Sequence, residues 1–198
     1  CDVQSDEDIA RVFPKWQEQF GGLDILVHEV AFANRDELKG EFIETSREGF
    51  LLAQDISAYS LVAQAREARP LMSDGGTMLT LSYYVAEKAV ANYNVMGVAK
   101  ASLEACVRYL AVDLGKEGIR VNAISAGPVR TLSASGVSGF KKMHRLFEQI
   151  NPMRRPLSID DLGNSAVYLC SDMSRGTTGE IHYVDGGYNI IGVPEVVD

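Results

Sequence analysis

The apolar positions of this chain alternate between two rhythms. One is a short continuous run rich in β-branched residues; the other recurs at helical spacing over longer stretches. LDILVHEV, residues 23–30, is a run of the first kind and predicts a buried strand. GGTMLTLSY, residues 75–83, predicts a second strand after a turn at Ser73, Asp74 and Gly75. IRVNAISAG, residues 119–127, predicts a third, stopped by Pro128, which has no N–H for the ladder. EIHYVDGG, residues 180–187, predicts the last, with Ile181, Tyr183 and Asp185 alternating against His182 and Val184.

Helical patterns lie between these runs. SDEDIARVFPKWQEQF can start with Ser5 as its cap and Asp8 at the third position, an approximate capping box. Asp2 and Val3, just ahead of it, read as the end of a strand. Phe50, Leu51, Ile56, Leu61 and Val62 give helical spacing to the stretch from Thr45 to Met72, with Pro70 marking its end. Tyr93 to Leu114 predicts a long helix with Gly115 in the terminator position. Residues 141–150 and 159–171 predict short helices, the second capped by Ser158. This alternation is the pattern of an α/β fold, a parallel sheet covered by helices on both faces. Without repeats, linkers or low-complexity tracts, residues 1–198 read as a single domain.

The long helix is apolar on more than one side. Val95, Val98, Leu103, Val107, Leu110, Ala111 and Leu114 cover too much of its circumference for a surface helix. One face must cover the sheet. The other is expected to meet another subunit, or else the helix that ends near Pro70.

Composition narrows the functional classes. A net charge of −8 makes the surface a poor partner for nucleic acid or anionic lipid. No apolar run approaches the ~20 residues of a membrane helix, and the start has no signal-peptide pattern, so a cytoplasmic protein is expected. Cys1, Cys106 and Cys170 are odd in number and widely spaced, which suits reduced thiols rather than disulfides. His28, His144 and His182 are isolated from one another and from cysteine pairs, so no metal site is expected.

The chemistry concentrates in TLSYYVAEKAVANYNVMGVAK, residues 80–100. Ser82 and Tyr83 end an apolar run; Tyr93 and Lys100 follow. Seven residues are close to two helical turns, so Tyr93 and Lys100 share a face about 10 Å apart along the axis. A phenol and an ammonium at the end of a buried strand can hold a nicotinamide ribose and stabilise charge on a reacting carbonyl oxygen.

This stretch, together with VNAISAGPVRTL further on, resembles the enoyl-acyl carrier protein reductases, a divergent branch of the short-chain dehydrogenase/reductase family. The commoner branch carries Tyr-x-x-x-Lys on this helix, and here that tyrosine slot holds Met96. The spacing from Tyr93 to Lys100 is that of the enoyl reductases. The resemblance runs from residue 1 to about residue 192 and implies a Rossmann-like doubly wound parallel sheet. The chain then reads as the C-terminal part of that fold, with the first three strands of the family pattern missing ahead of Cys1. In that arrangement LDILVHEV would form a bare sheet edge. No glycine-rich dinucleotide loop occurs in the sequence.

The implied activity is reduction of the carbon–carbon double bond of an enoyl thioester in fatty acid biosynthesis, with NAD as cofactor. The NADH-or-NADPH choice is made after the second strand of such folds, which this sequence does not contain; NADH is the form expected. By the same resemblance, Tyr93 donates to the thioester oxygen and Lys100 binds the nicotinamide ribose. Tyr83 is a second tyrosine of the catalytic group or a wall of the acyl pocket. Ser82 is a positioning hydroxyl beside the cofactor or simply a strand-end residue. Val129 grips the nicotinamide amide through its backbone and Thr131 reaches a phosphate. Arg130, Leu132 and Ser133 belong to the same cofactor loop, which goes on over the acyl chain. Val30 passes the adenosine ribose, and Asp2 and Val3 bracket the adenine. Ala33, Met96 and Phe140 touch substrate. Residues 131–145, rich in small residues, are expected to close over the acyl chain.

Glu29 departs from the small residue the family carries there, and no site role is assigned to it. Asp185 and Gly186 read as turn and interface. The implied partners are acyl carrier protein carrying the enoyl group and further copies of the chain in a homotetramer. Acyl carrier protein is acidic, so its docking patch would draw on Arg130, Lys141, Lys142, Arg145, Arg154 and Arg155. Two other readings stay open: a ketone or alcohol dehydrogenase of the commoner branch, and a catalytically inert protein that keeps the fold.

Overall fold

A computed structural model describes residues 1–129 and 140–193, the side chains of 140–143 excepted. Its sheet holds β1 (Ile25–His28), β2 (Gly76–Tyr83), β3 (Ile119–Ala126) and β4 (Ile181–Val184), side by side in that order and all parallel. The helices are α1 (Asp6–Phe20), α2 (Arg47–Gln54), α3 (Ser60–Ala68), α4 (Asn94–Leu114), α5 (Phe140–Ile150) and α6 (Ile159–Cys170).

Local chemistry sets most helix ends as expected. Ser5 Oγ accepts from the Asp8 amide at 3.1 Å, and the turn after α1 is closed by Gly21 at φ 80°. Ser158 and Asp161 form a full capping box on α6. Gly115 caps α4 directly after Leu114 as expected, but not in the left-handed form. Its φ is −59°, and the left-handed residue is Gly118, after one more 3-10 turn. Only there does the chain reverse, where the Gly76 amide bonds the Gly118 carbonyl at 3.3 Å. Asp2 and Val3 are a correction. They are not a strand end but lead into a tight turn, in which the Ser5 amide bonds the Asp2 carbonyl at 3.2 Å.

The helix expected from Thr45 to Met72 begins one residue after its cap, Ser46, and is broken by a π turn, Asp55–Tyr59, between α2 and α3. The wider turn aims Ser57 and Ser60 inward. Ser57 Oγ meets the Phe32 amide at 2.9 Å, and Ser60 Oγ meets His28 at 2.7 Å.

One face of the sheet is covered by α1, α3 and α4. Ile9, Phe13, Leu61, Met78, Leu103, Val107, Ile119 and Val121 form one buried cluster there. On the other face α6 seats Leu169 against Leu79 and Ile124. The strand expected to be buried, β1, is buried on one face only. Leu26 and His28 face the α1–α3–α4 layer, whereas Ile25 and Val27 are 45% and 54% exposed. Among the described residues β1 pairs with β2 alone, so it is the bare edge that the resemblance implied.

Candidate active site

Register places the site. The last β1 pair is His28 with Thr80, whereas β2 runs on against β3 through Leu81, Ser82 and Tyr83. These residues stand at the carboxyl end of the sheet, where open α/β folds bind ligands.

The start of α4 faces this strand end. The rings of Tyr83 and Tyr93 lie 5.1 Å apart, tilted by 52°. Lys100 Nζ donates to the Leu81 carbonyl at 2.7 Å. Between those contacts, Ser82 Oγ donates to the carboxylate of Glu104. Tyr83 and Tyr93 are thus in ring contact, and Lys100 is held two residues before Tyr83 on the same strand end. Ser82 differs from its expected role in one respect: its hydroxyl is committed to Glu104 rather than turned to an open cleft.

Burial shapes the charges. It lowers the Lys100 ammonium from its ordinary value to about 8, while the carboxylates of Glu104 and Glu29 pull the other way. Burial pushes the Tyr93 phenol up. Tyr83 is pushed up by burial, then by Tyr93 and Tyr188. Both phenols are therefore protonated donors at neutral pH. Two donors and a partly buried cation in one place can stabilise an oxyanion.

His28 lies beneath this group. It is 1% exposed, with Nδ1 2.9 Å from Thr80 Oγ1 and Nε2 2.7 Å from Ser60 Oγ. Burial, and then the charge of Lys100, lower its pKa to about 4, so the ring is neutral.

The other expected residues divide into three groups. Ala33 and Met96 come together with Leu38 and Phe50 against buried Ala53, Val95 and Ala99, an apolar wall beside Tyr93. Val30 is half-buried after β1, and Val129 after β3 lines a 310 Å³ cavity with His144 and Leu157. Asp2 and Val3 occupy the turn before α1, where the Asp2 carboxylate accepts the Gln4 amide at 3.0 Å. Arg130, Thr131, Leu132 and Ser133 lie outside the described residues. Phe140 opens α5, and its side chain also lies outside them. A separate groove of 390 Å³ runs along the outer side of α4 between Phe42, Val85 and Val98, and Tyr93 reaches its edge.

Sequence reasoning missed Glu104 and the His28 network. Glu104 had a usable signal: it stands four residues after Lys100, on the same helical face. His28 had none, because its partners lie far away in the chain. Asp185 behaves as a turn residue, accepting from the Gly187 and Asn189 amides at 2.9 and 2.8 Å. No helix among the described residues is long and apolar enough to cross a membrane.

Comparison with known proteins is extensive. The family model described as enoyl-(acyl carrier protein) reductase matches residues 1–189. The enoyl-acyl-carrier-protein reductase (NADH) FabI of Bacillus cereus is 57% identical over 192 residues, 97% of this chain and 75% of that protein. The Aquifex aeolicus protein of the same name is 54% identical, over 98% of this chain and 72% of its own length. The crystal structure of the Bacillus cereus reductase with NADP+ and indole naphthyridinone superposes with a TM-score of 0.95 at 56% identity, covering 98% of this chain and 75% of that one. The Anaplasma phagocytophilum reductase in complex with NAD also gives 0.95, at 53% identity, covering 99% and 75%. The chain thus spans about three quarters of the length of these relatives.

Proposed function

The chain belongs to the enoyl-(acyl carrier protein) reductase family, and from that premise we propose how it works. It reduces the carbon–carbon double bond of enoyl thioesters carried on acyl carrier protein, in fatty acid biosynthesis, with NADH as reductant. The observation that carries this reading is the end of β2, where the Tyr83 ring packs on Tyr93 and the Leu81 carbonyl holds the Lys100 ammonium.

The residues present fit the nicotinamide end of such a cofactor. Lys100 keeps a buried ammonium on a backbone carbonyl at the sheet's carboxyl edge, a donor that would suit a ribose hydroxyl. When bound, the nicotinamide supplies the hydride that reaches the β carbon. Everything else falls to the chain. Tyr93 donates its phenol proton's hydrogen bond to the thioester oxygen as negative charge collects there. Lys100 orients the ribose, and its charge favours the same anion. Tyr83 packs against Tyr93 and walls the acyl site. Met96 and Ala33 shape its apolar side, where a thioether adapts to a mobile chain. Val30, Val129 and Ser82 flank the cofactor, with Asp2 and Val3 at its adenine end.

The enzyme works as a cytoplasmic homotetramer. Support for assembly comes from apolar side chains left open on α4 and on the α2–α3 segment. Tyr109 and Val112 are 74% and 79% exposed, and Leu51 is 60% exposed. One sheet with helices on both faces supports a single domain over the described residues.

The test is a side-by-side assay of crotonyl and acetoacetyl thioesters, with NADH and then NADPH, followed by loss of reduced-nucleotide absorbance. Turnover of the crotonyl thioester with NADH is expected. Turnover of acetoacetyl thioester alone would replace this reading with a ketone reductase.

A further inference from the structure

Glu104 is 6% exposed and makes no salt bridge among the described residues. A carboxylate in such a place carries a desolvation cost that a leucine would not. Packing α4 on the sheet does not call for it. Its contacts suggest what does. Successive residues of β2 are each tied to α4 or to its cap: the Leu81 carbonyl to Lys100, the Ser82 hydroxyl to Glu104, the Tyr83 ring to Tyr93. Lys100 and Glu104 stand one turn apart on the same face of α4. The Ser82 clamp therefore sits between the two contacts that present the reacting groups.

We propose that Glu104 is a positioning residue for the reduction: through Ser82 it locks the end of β2 onto α4, and its carboxylate sets the field in which Lys100 carries its charge. This rests on the reductase reading above. The groups that face the pair come from several elements. Glu87 after β2, Arg108 on α4 and Tyr183 on β4 act on or with Glu104, and the Tyr183 hydroxyl donates to Glu87. Glu29 and His28, at the end of β1, act on Lys100 or feel its charge. Of the two carboxylates that favour the Lys100 ammonium, Glu104 is the buried one and therefore the less screened.

The test separates clamp from charge. Glu104→Gln keeps an acceptor for Ser82 and removes the charge; Ser82→Ala keeps the charge and removes the clamp. The Lys100 amine is titrated by NMR of carbon-labelled lysine, assigned by its loss in Lys100→Arg. Its midpoint is compared with the pH profiles of kcat and of the KM for NADH. Glu104→Gln should lower the Lys100 midpoint by about half a pH unit or more, and move the alkaline limb of the KM profile with it. Ser82→Ala should lower kcat about tenfold and leave that limb in place. An unchanged Lys100 midpoint in Glu104→Gln would overturn the charge role. Variants that lose melting temperature but keep wild-type kinetics per folded molecule would show a packing residue only, and overturn the proposal. Failure of the wild type to reduce crotonyl thioester would instead overturn the functional reading, while the NMR titration still judges Glu104.

Discussion

Lowering the pH from 7 to 4 should cost this protein about 3 kcal/mol through His28 alone. The ring is 1% exposed, and burial followed by the Lys100 charge lowers its pKa to about 4 from the usual 6.5. Above pH 6.5 the ring is neutral in both folded and unfolded chains, and its titration leaves stability unchanged. Between 6.5 and 4 the unfolded chain takes up a proton that the folded one refuses. Stability therefore falls as pH falls through that window, by about 2 kcal/mol at pH 5 and about 3 at pH 4. One feature favours the charged ring: its two N–H groups could donate to the Thr80 and Ser60 oxygens. Each bond from a charged donor is worth about 1.5–3 kcal/mol, but the neutral ring already donates one of the two, so the gain on charging is less than the several kcal/mol of burying the ion and desolvation wins. The assay is urea unfolding at pH 7 and pH 5 for the wild type and His28→Gln, whose amide can still reach Ser60. Carboxylates held low by their partners, such as Asp161 beside Arg155, titrate alike in both proteins and cancel. With a slope of about 2 kcal/mol per molar urea, the wild-type midpoint should fall by about 1 M more than that of the variant. Parallel losses in the two proteins would refute the argument.

Other expectations follow from the same geometry. Tyr93→Phe should cut kcat about 100-fold or more with the melting temperature kept, whereas Lys100→Ala should act mainly on NADH affinity, read by fluorescence titration; an unchanged NADH dissociation constant in Lys100→Ala would exclude the ribose contact. Gly127→Ala would place a methyl 2.5 Å from Leu157 Cδ1 and 3.0 Å from the Asp185 Cα, a backbone atom that cannot swing aside. It should cost about 1–3 kcal/mol, seen as a fall of about 2–4 °C in melting temperature per kcal/mol; an unshifted melt would show that the β3 end can yield. Val27→Lys, on the open face of the edge strand, should suppress concentration-dependent light scattering without altering the far-ultraviolet circular dichroism.

The order of strands and helices along the chain and the caps at Ser5 and Ser158 were legible in the sequence by itself. Each depends on residues a few positions apart, and a helix or strand writes its own period locally. Two details were not legible at that scale. Gly115 lacks the left-handed turn because the chain reverses three residues later, against Gly75 and Gly76 of another element. The π turn at Asp55–Tyr59 leaves no mark in the apolar spacing; its inward serines make sense only against Phe32 and His28.

Tertiary structure alone decided the rest. LDILVHEV reads as a strand buried on both faces because periodicity reports how apolar a segment is, not how many neighbours it has. Only sheet order shows that Ile25 and Val27 lie open. His28 meets a hydroxyl 52 residues away, and Ser82 meets a carboxylate 22 residues on. Such partners are set by strand register and by the seating of α4 on β2. Those are non-local choices, made by burial of the whole core rather than by any window of the chain.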